Sequence, residues 1–200
     1  LRQALDWLKC QADSIFEEVS KGLLNDPWES RNRYIAICNK QLDTRAFLMA
    51  ESRSDLQESE KIIVLKLLEM QRHTMLMFTS CGWFFNDISG IETEQILSYA
   101  GKAIQLAEDI SGDILEPQFL VLLEMAESNV REKGNGALIY KDVIIKSRMN
   151  FSTICAHYAL DLLFDVFEGE AKLYSHSIDL INLQDLKNDR ARLVYGSAKV

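Results

Sequence analysis

The stretch 68–108, LEMQRHTMLMFTSCGWFFNDISGIETEQILSYAGKAIQLAE, constrains the fold more than any other part of the chain. It joins the end of an apolar helical run to a second amphipathic helix through a short aromatic link, Ser80-Cys81-Gly82-Trp83-Phe84-Phe85-Asn86-Asp87. The run upstream is apolar on most sides, and a helix of that kind belongs at the centre of a domain, surrounded by other helices. A turn between buried helices needs only small or polar residues. Three consecutive aromatics between Gly82 and Gly90 are therefore costly to expose unless something covers or uses them. The link reads as the edge of a cleft.

Helical periodicity extends on both sides of this stretch. A first helix is expected over 2–23, with an apolar stripe of Leu5, Leu8, Ala12, Ile15, Phe16 and Val19 and with Gly22 near its end. Asp26 is a suitable N-cap and Pro27 fits a first turn, so a helix restarts there, with Trp28, Tyr34, Ile35 and Cys38 facing inward. A short element at 44–50 leads to Ser54-Asp55-Leu56-Gln57, which has capping-box spacing for the central helix. The helix at 92–110 carries Ile96, Leu97, Ala100, Ala103, Ile104 and Ala107 on one face, the alanines allowing close approach of a neighbour. Gly112 ends it, Glu116-Pro117 starts another through 125, 129–136 reads as a surface loop, and helices follow at 137–146 and 152–167.

Beyond Gly169 the pattern changes. The runs 172–181 and 191–200, separated by Asn188-Asp189, are short and β-prone and read as paired strands. The expected fold is mainly α, a multi-helix bundle over 1–170 with a small C-terminal β-hairpin or sheet edge over 171–200 packed on it. The chain opens on Leu1 with periodicity already running and closes on an unpaired strand. Both features read as a piece cut from a longer polypeptide.

Composition narrows the function classes. With 48% hydrophobic and 26% charged residues and two prolines, the chain falls in the soluble globular class, and 200 residues suffice for a self-standing core. A net charge of −8, with acids and bases interspersed, disfavours nucleic acid or an anionic membrane as partner, because both need a basic stripe. No apolar run reaches the roughly 20 residues of a membrane span. Cys10, Cys38, Cys81 and Cys155 lie far apart without zinc-ligand spacing, and read as reduced, mostly buried thiols of a cytoplasmic protein. No metal is implied.

The residues that carry chemistry are few. Asp87 and Glu92 flank Gly90, where either could orient a hydroxyl or donate a proton; the plainer reading is a turn cap and a first-turn acid. Asp161 and Asp165, four apart, fit a solvated helix face better than a two-carboxylate site. Arg72-His73 interrupt the most apolar helix two turns before the link and need hydrogen-bond partners there, whereas His157 and His176 stand isolated. Cys81 shows no base beside it and reads as packing. There is no G-x-G-x-x-G, P-loop or G-x-S-x-G, so no cofactor is implied and no catalytic residue is placed. Of the three aromatics, Trp83 is assigned to the wet side, since indole combines a stacking face with an N–H donor.

The link and its surroundings resemble the C-terminal helical region of glycoside hydrolase family 57-like proteins, an uncharacterised domain found after their catalytic barrel. The resemblance is carried, in order, by LRQALDWLKCQADSIFEE, LLNDPWESRNRYI, the stretch from LLEMQRHT through YAGKAIQLAE, AESNVREKGNGALIYKDVI and ICAHYALDLLF. It implies that the upstream barrel of the same polypeptide is the partner, that the barrel holds both catalytic carboxylates for α-glucosidic bonds, and that this region packs against it and helps wall a glycan cleft. Alone, the chain is then expected to be inert. Trp83 becomes a stacking platform, and Arg72, His73 and Asp87 hydroxyl or supporting ligands. The rival reading is a helical protein-interaction or oligomerisation module whose link docks a protein or a second copy; a third makes the link wholly interior.

Overall fold

A computed structural model describes residues 1–146, 148, 151–164, 172–173, 176–188 and 191–199. The protein is mainly α-helical, with a small antiparallel hairpin towards its C-terminus. It divides into two compact units, 1–146 and 147–200. That division falls upstream of the 170/171 boundary expected from the sequence, and it groups the last helix with the strands.

In the first unit, helix α1 (Arg2–Ser20) buries Leu5, Leu8, Ala12, Ile15 and Phe16 of the stripe anticipated from spacing, and leaves its sixth member, Val19, half-buried. It stops at Ser20, three residues early, because Gly22 adopts φ +113°, a left-handed region open to glycine. Helix α2 (Pro27–Arg33) opens where Asp26 Oδ1 accepts the Glu29 N–H at 3.0 Å. The short α3 (Ile35–Cys38) follows, then α4 (Thr44–Glu51), capped by Asp43. Two inward placements fail here. Ile35 and Cys38 are exposed, because α3 is a single turn with no buried residue and its side chains do not continue the face that buries Tyr34.

The central helix α5 (Glu58–Leu76) begins three residues later than a cap at Ser54 would have it. Its cap is Gln57, whose N–H donates to Glu60 Oε2 at 2.7 Å. Val64, Leu67, Leu68, Met70, Gln71 and Thr74 are buried along it, and α1 and α6 (Ile91–Ser111) pack on it. All six residues of the expected apolar face of α6 are buried. Gly112 ends α6 in the left-handed conformation, φ 77°. Glu108 Oε1 then accepts the Leu115 and Glu116 N–H groups, at 2.9 and 3.0 Å, and so starts α7 (Glu116–Glu124).

Helix α8 (Gly136–Ile139) runs into a π-helical turn, Tyr140–Ile145, where a plain helix was expected. Gly101 of α6 lets this turn approach: a Cβ there would lie 2.6 Å from Ile144 Cγ2 and 3.2 Å from the Tyr140 hydroxyl. Tyr140 is enclosed, its ring edge-on to Phe119 at 5.6 Å and its hydroxyl donating to Glu116 Oε1 at 2.9 Å.

In the second unit, α9 (Phe151–Leu163) supplies Ile154 and Tyr158 to a small core with Ile178. Short strands β1 (Lys172–Leu173) and β2 (His176–Ser177) pair antiparallel, and so do β3 (Asp179–Lys187) and β4 (Arg192–Lys199). The long hairpin runs in register from Asp179 opposite Lys199 to Lys187 opposite Arg192, with an irregularity between Leu180 and Asn182. The expected strand at 172–181 is thus divided among three strands: β1 and β2 pair with each other, and the long partner of β4 starts only at Asp179. Arg192 ties the hairpin to the helix, donating to the Leu163 carbonyl at 2.9 Å while holding Asp185 Oδ2 at 2.7 Å. Asp165, the end of the helix expected to reach 167, and the side chain of His176 lie outside the described residues.

Candidate functional site

The aromatic link is a 3-10 turn, Ser80–Trp83, followed by irregular backbone to Gly90. Consecutive side chains on such a turn point different ways, and the three rings divide accordingly. Trp83 is half-buried: its ring stacks parallel to Phe78 at 6.4 Å and 3°, and lies 6.4 Å from Phe85. The Arg2 guanidinium sits over both Phe78 and Trp83, at 4.8 and 5.3 Å from their centroids. The indole N–H donates to the Met77 carbonyl at 3.3 Å. The group assigned to the wet side as a donor is therefore engaged within the fold.

Phe84 is the ring that projects, 84% exposed, with Ile91 at the start of α6 also 76% exposed and Cys81 exposed on the same link. The base beneath is closely packed. Gly82 is buried against α6 so closely that a Cβ there would lie 2.2 Å from Ile96 Cδ1.

Asp87 fastens the far end of the link. Its Oδ1 accepts the Ser89 N–H at 2.8 Å and the Ser128 hydroxyl at 2.7 Å, and its Oδ2 accepts the Asn129 N–H at 2.6 Å. The hydroxyls of Ser89 and Ser128 and the Asn129 backbone hold its carboxyl well below the usual carboxylate range. Such a group stays ionised and has no proton to give near neutrality. Its role is to clamp the link to the loop after α7, some forty residues away in sequence.

Arg72 and His73 meet a different set of partners. Glu69, one turn back on α5, accepts from Arg72 Nη1 at 3.2 Å, from the Tyr34 hydroxyl at 2.7 Å, and lies 3.5 Å from His73 Nε2. Those contacts, that of His73 foremost, outweigh burial and hold Glu69 at about 2, while burial and Glu69 together push Tyr34 up. The His73 ring lies 5.9 Å from that of Tyr99, and its Nδ1 is covered without a hydrogen-bond partner. The four residues singled out from sequence thus fall into three constellations: Arg72 and His73 around Glu69, Trp83 with Phe78 and Arg2, and Asp87 with Ser128 and Asn129. Among the described residues, no side chain that partners one set also partners another.

Among the described residues no group of three or more His, Cys, Asp or Glu side chains is placed to hold a metal ion. No helix there is long and apolar enough to cross a membrane. The cysteines are free, and Cys10, Cys38 and Cys81 are exposed rather than buried, because each sits on the outer side of its helix or turn. Over residues 1–200 the sequence matches the family described as "Domain of unknown function (DUF3536)". The chain belongs to that family. The DUF3536 chain has no match among the curated proteins and none among the solved structures.

Sequence reasoning passed over Glu69 and Tyr34 of the DUF3536 chain. A signal for Glu69 existed, since it precedes Arg72 and His73 by three and four residues, the spacings that meet on one helix face. Tyr34, Arg2, Ser128 and Asn129 reach their partners only through tertiary packing, and no local pattern announces them.

Proposed function

We propose that this chain is the non-catalytic accessory region of a family 57-like glycoside hydrolase, and that its aromatic link docks against the upstream catalytic barrel of the same polypeptide. The observation that carries the reading is Phe84, exposed on a link held from beneath by the Trp83, Phe78 and Arg2 stack and by the Asp87 clamp. A large apolar ring mounted on a fixed platform is the kind of anchor that protein interfaces use. The resemblance carried by the motif order quoted above supports the barrel as the body it meets.

Whether the link also walls a glycan cleft depends on Trp83. Its donor is directed to Met77 and one aromatic neighbour lies parallel to its ring, which favours packing beneath an interface over direct sugar stacking. Arg72 and His73 would then support the wall through Glu69 and not as direct ligands, and Asp87 would set the position of the link.

The test is association in trans. The chain is mixed with the segment that precedes it in the parent gene, and complex formation is followed by analytical ultracentrifugation. A complex that Phe84→Glu weakens by at least about tenfold is expected. No complex, or one indifferent to Phe84→Glu while the variant stays folded, would remove the proposal.

A further inference from the structure

At the other end of α5 from the aromatic link, a groove of about 860 Å³ runs between α4, the turn at 52–57 and the first turns of α5. Its size is within the range of small-molecule sites. Leu48, Leu56 and Leu65 line it, and Met49 and Ile62 stand at its lips, 77% and 56% exposed. No aromatic ring lines it, so it offers no platform for a sugar face.

The charges along the groove do not cancel. Asp43 is occupied in capping α4, where it accepts the Arg45 and Ala46 N–H groups, and Glu58 is paired with Lys61 at 2.6 Å. Arg45 and Arg53 also line the groove, and no carboxylate among the described residues pairs with either guanidinium. Three cations, Arg45, Arg53 and Lys61, against the two carboxylates of Asp43 and Glu58 leave a net positive charge beside an apolar trough, in a chain of net charge −8, and form a local site for an anion.

An independent observation falls at the same place. Ser52, only 7% exposed, lines the groove, and its hydroxyl has no hydrogen-bond partner. Its backbone is held on both sides, the N–H by the Leu48 carbonyl at 3.0 Å and the carbonyl by Asn25 Nδ2 at 3.1 Å, so the residue is fixed while its hydroxyl is not used. Covered hydroxyls left unpaired are rare in folded proteins and call for an explanation.

We infer that this groove binds a small amphipathic organic anion, an aliphatic chain lying on the leucines with a carboxylate between Arg45, Arg53 and the Ser52 hydroxyl. The site is separate from the link and does not depend on the docking role proposed for it.

The probe is sodium decanoate, titrated into the chain by isothermal calorimetry below its micelle concentration, with acetate and decyltrimethylammonium as comparisons. One saturable site for decanoate is expected, with acetate and the cation at least about tenfold weaker. The double reversal Arg45→Glu, Arg53→Glu should weaken decanoate by at least about tenfold with an unchanged circular dichroism spectrum, since neither side chain holds the fold together. Ser52→Ala should weaken binding and leave thermal stability intact. The inference is overturned if decanoate fails to saturate, if acetate or the cation binds as well, if the double reversal leaves affinity unchanged, or if Ser52→Ala unfolds the chain at lower temperature, which would show the hydroxyl already serving the fold.

Discussion

Gly82→Ala probes how firmly the aromatic link is seated. A Cβ at Gly82 would lie 2.2 Å from Ile96 Cδ1 and 2.5 Å from Ile96 Cγ1. Ile96 is fully buried on α6, so its side chain can yield only by leaving its rotamer or pushing the turn outward. Overpacking of that kind costs about 1–3 kcal/mol. Ile96→Ala alone should cost about 2–5 kcal/mol, because it opens a cavity in the α5 and α6 core. In the double variant the new methyl enters the space that isoleucine vacates. The two effects should then fall short of additive, with a coupling of about 1–2 kcal/mol. Urea unfolding of the four proteins gives the cycle. Strict additivity, or a Gly82→Ala variant as stable as the parent, would mean that the link floats over α6 and would refute the rigid platform.

Other expectations bear on the same region. Phe84→Ser should change stability by less than about 0.5 kcal/mol, since the ring is in water, whereas Trp83→Ala should cost about 2 kcal/mol through lost packing and the Met77 hydrogen bond; equal costs from thermal melts would contradict the division of the rings. Asp87→Asn should speed amide exchange at Ser89 and Asn129 by removing the charged acceptor, and unchanged exchange at both would show that the clamp is idle. Glu69, held at about 2 against an ordinary 4.5, binds fewer protons folded than unfolded between those values, so its contribution is complete above pH 4.5 and is lost as pH falls through 2. A shift of that size corresponds to at most about 3 kcal/mol, and with 33% of the side chain in water about 1–2 kcal/mol is expected. Glu69→Gln should flatten the acid limb of the stability profile measured from pH 5 to 2, and an unaltered limb would count against the Glu69 cluster.

The bundle was legible because its signals are periodic and local. The stripes of α1 and α6, the Asp26 cap and the Gly112 stop depend on neighbours within one or two turns, and spacing exposes them directly. Ser54-to-Gln57 misled because Gln57-to-Glu60 offers the same reciprocal geometry three residues on, and only packing of Val64 and Leu67 decides which one nucleates α5. The π-helical turn was hidden for a similar reason: its widened backbone answers the close approach permitted by Gly101, a residue on another helix. At the link, composition showed that rings were present but not which one faced water. That choice turned on Arg2 and Phe78, one distant in sequence and one on the preceding turn, closing over Trp83.

The docking role of the link is tested most directly by thiol labelling. Cys81 is exposed beside Phe84, so in the 200-residue chain it should react with a maleimide as readily as exposed Cys10 and Cys38. In a polypeptide that carries the proposed upstream barrel, labelling mapped by peptide mass spectrometry should fall at Cys81 by at least about tenfold while Cys10 and Cys38 stay within about twofold, as a buried interface centre requires. Equal labelling of Cys81 in both proteins would mean that nothing covers the link, and the docking proposal would fall with it.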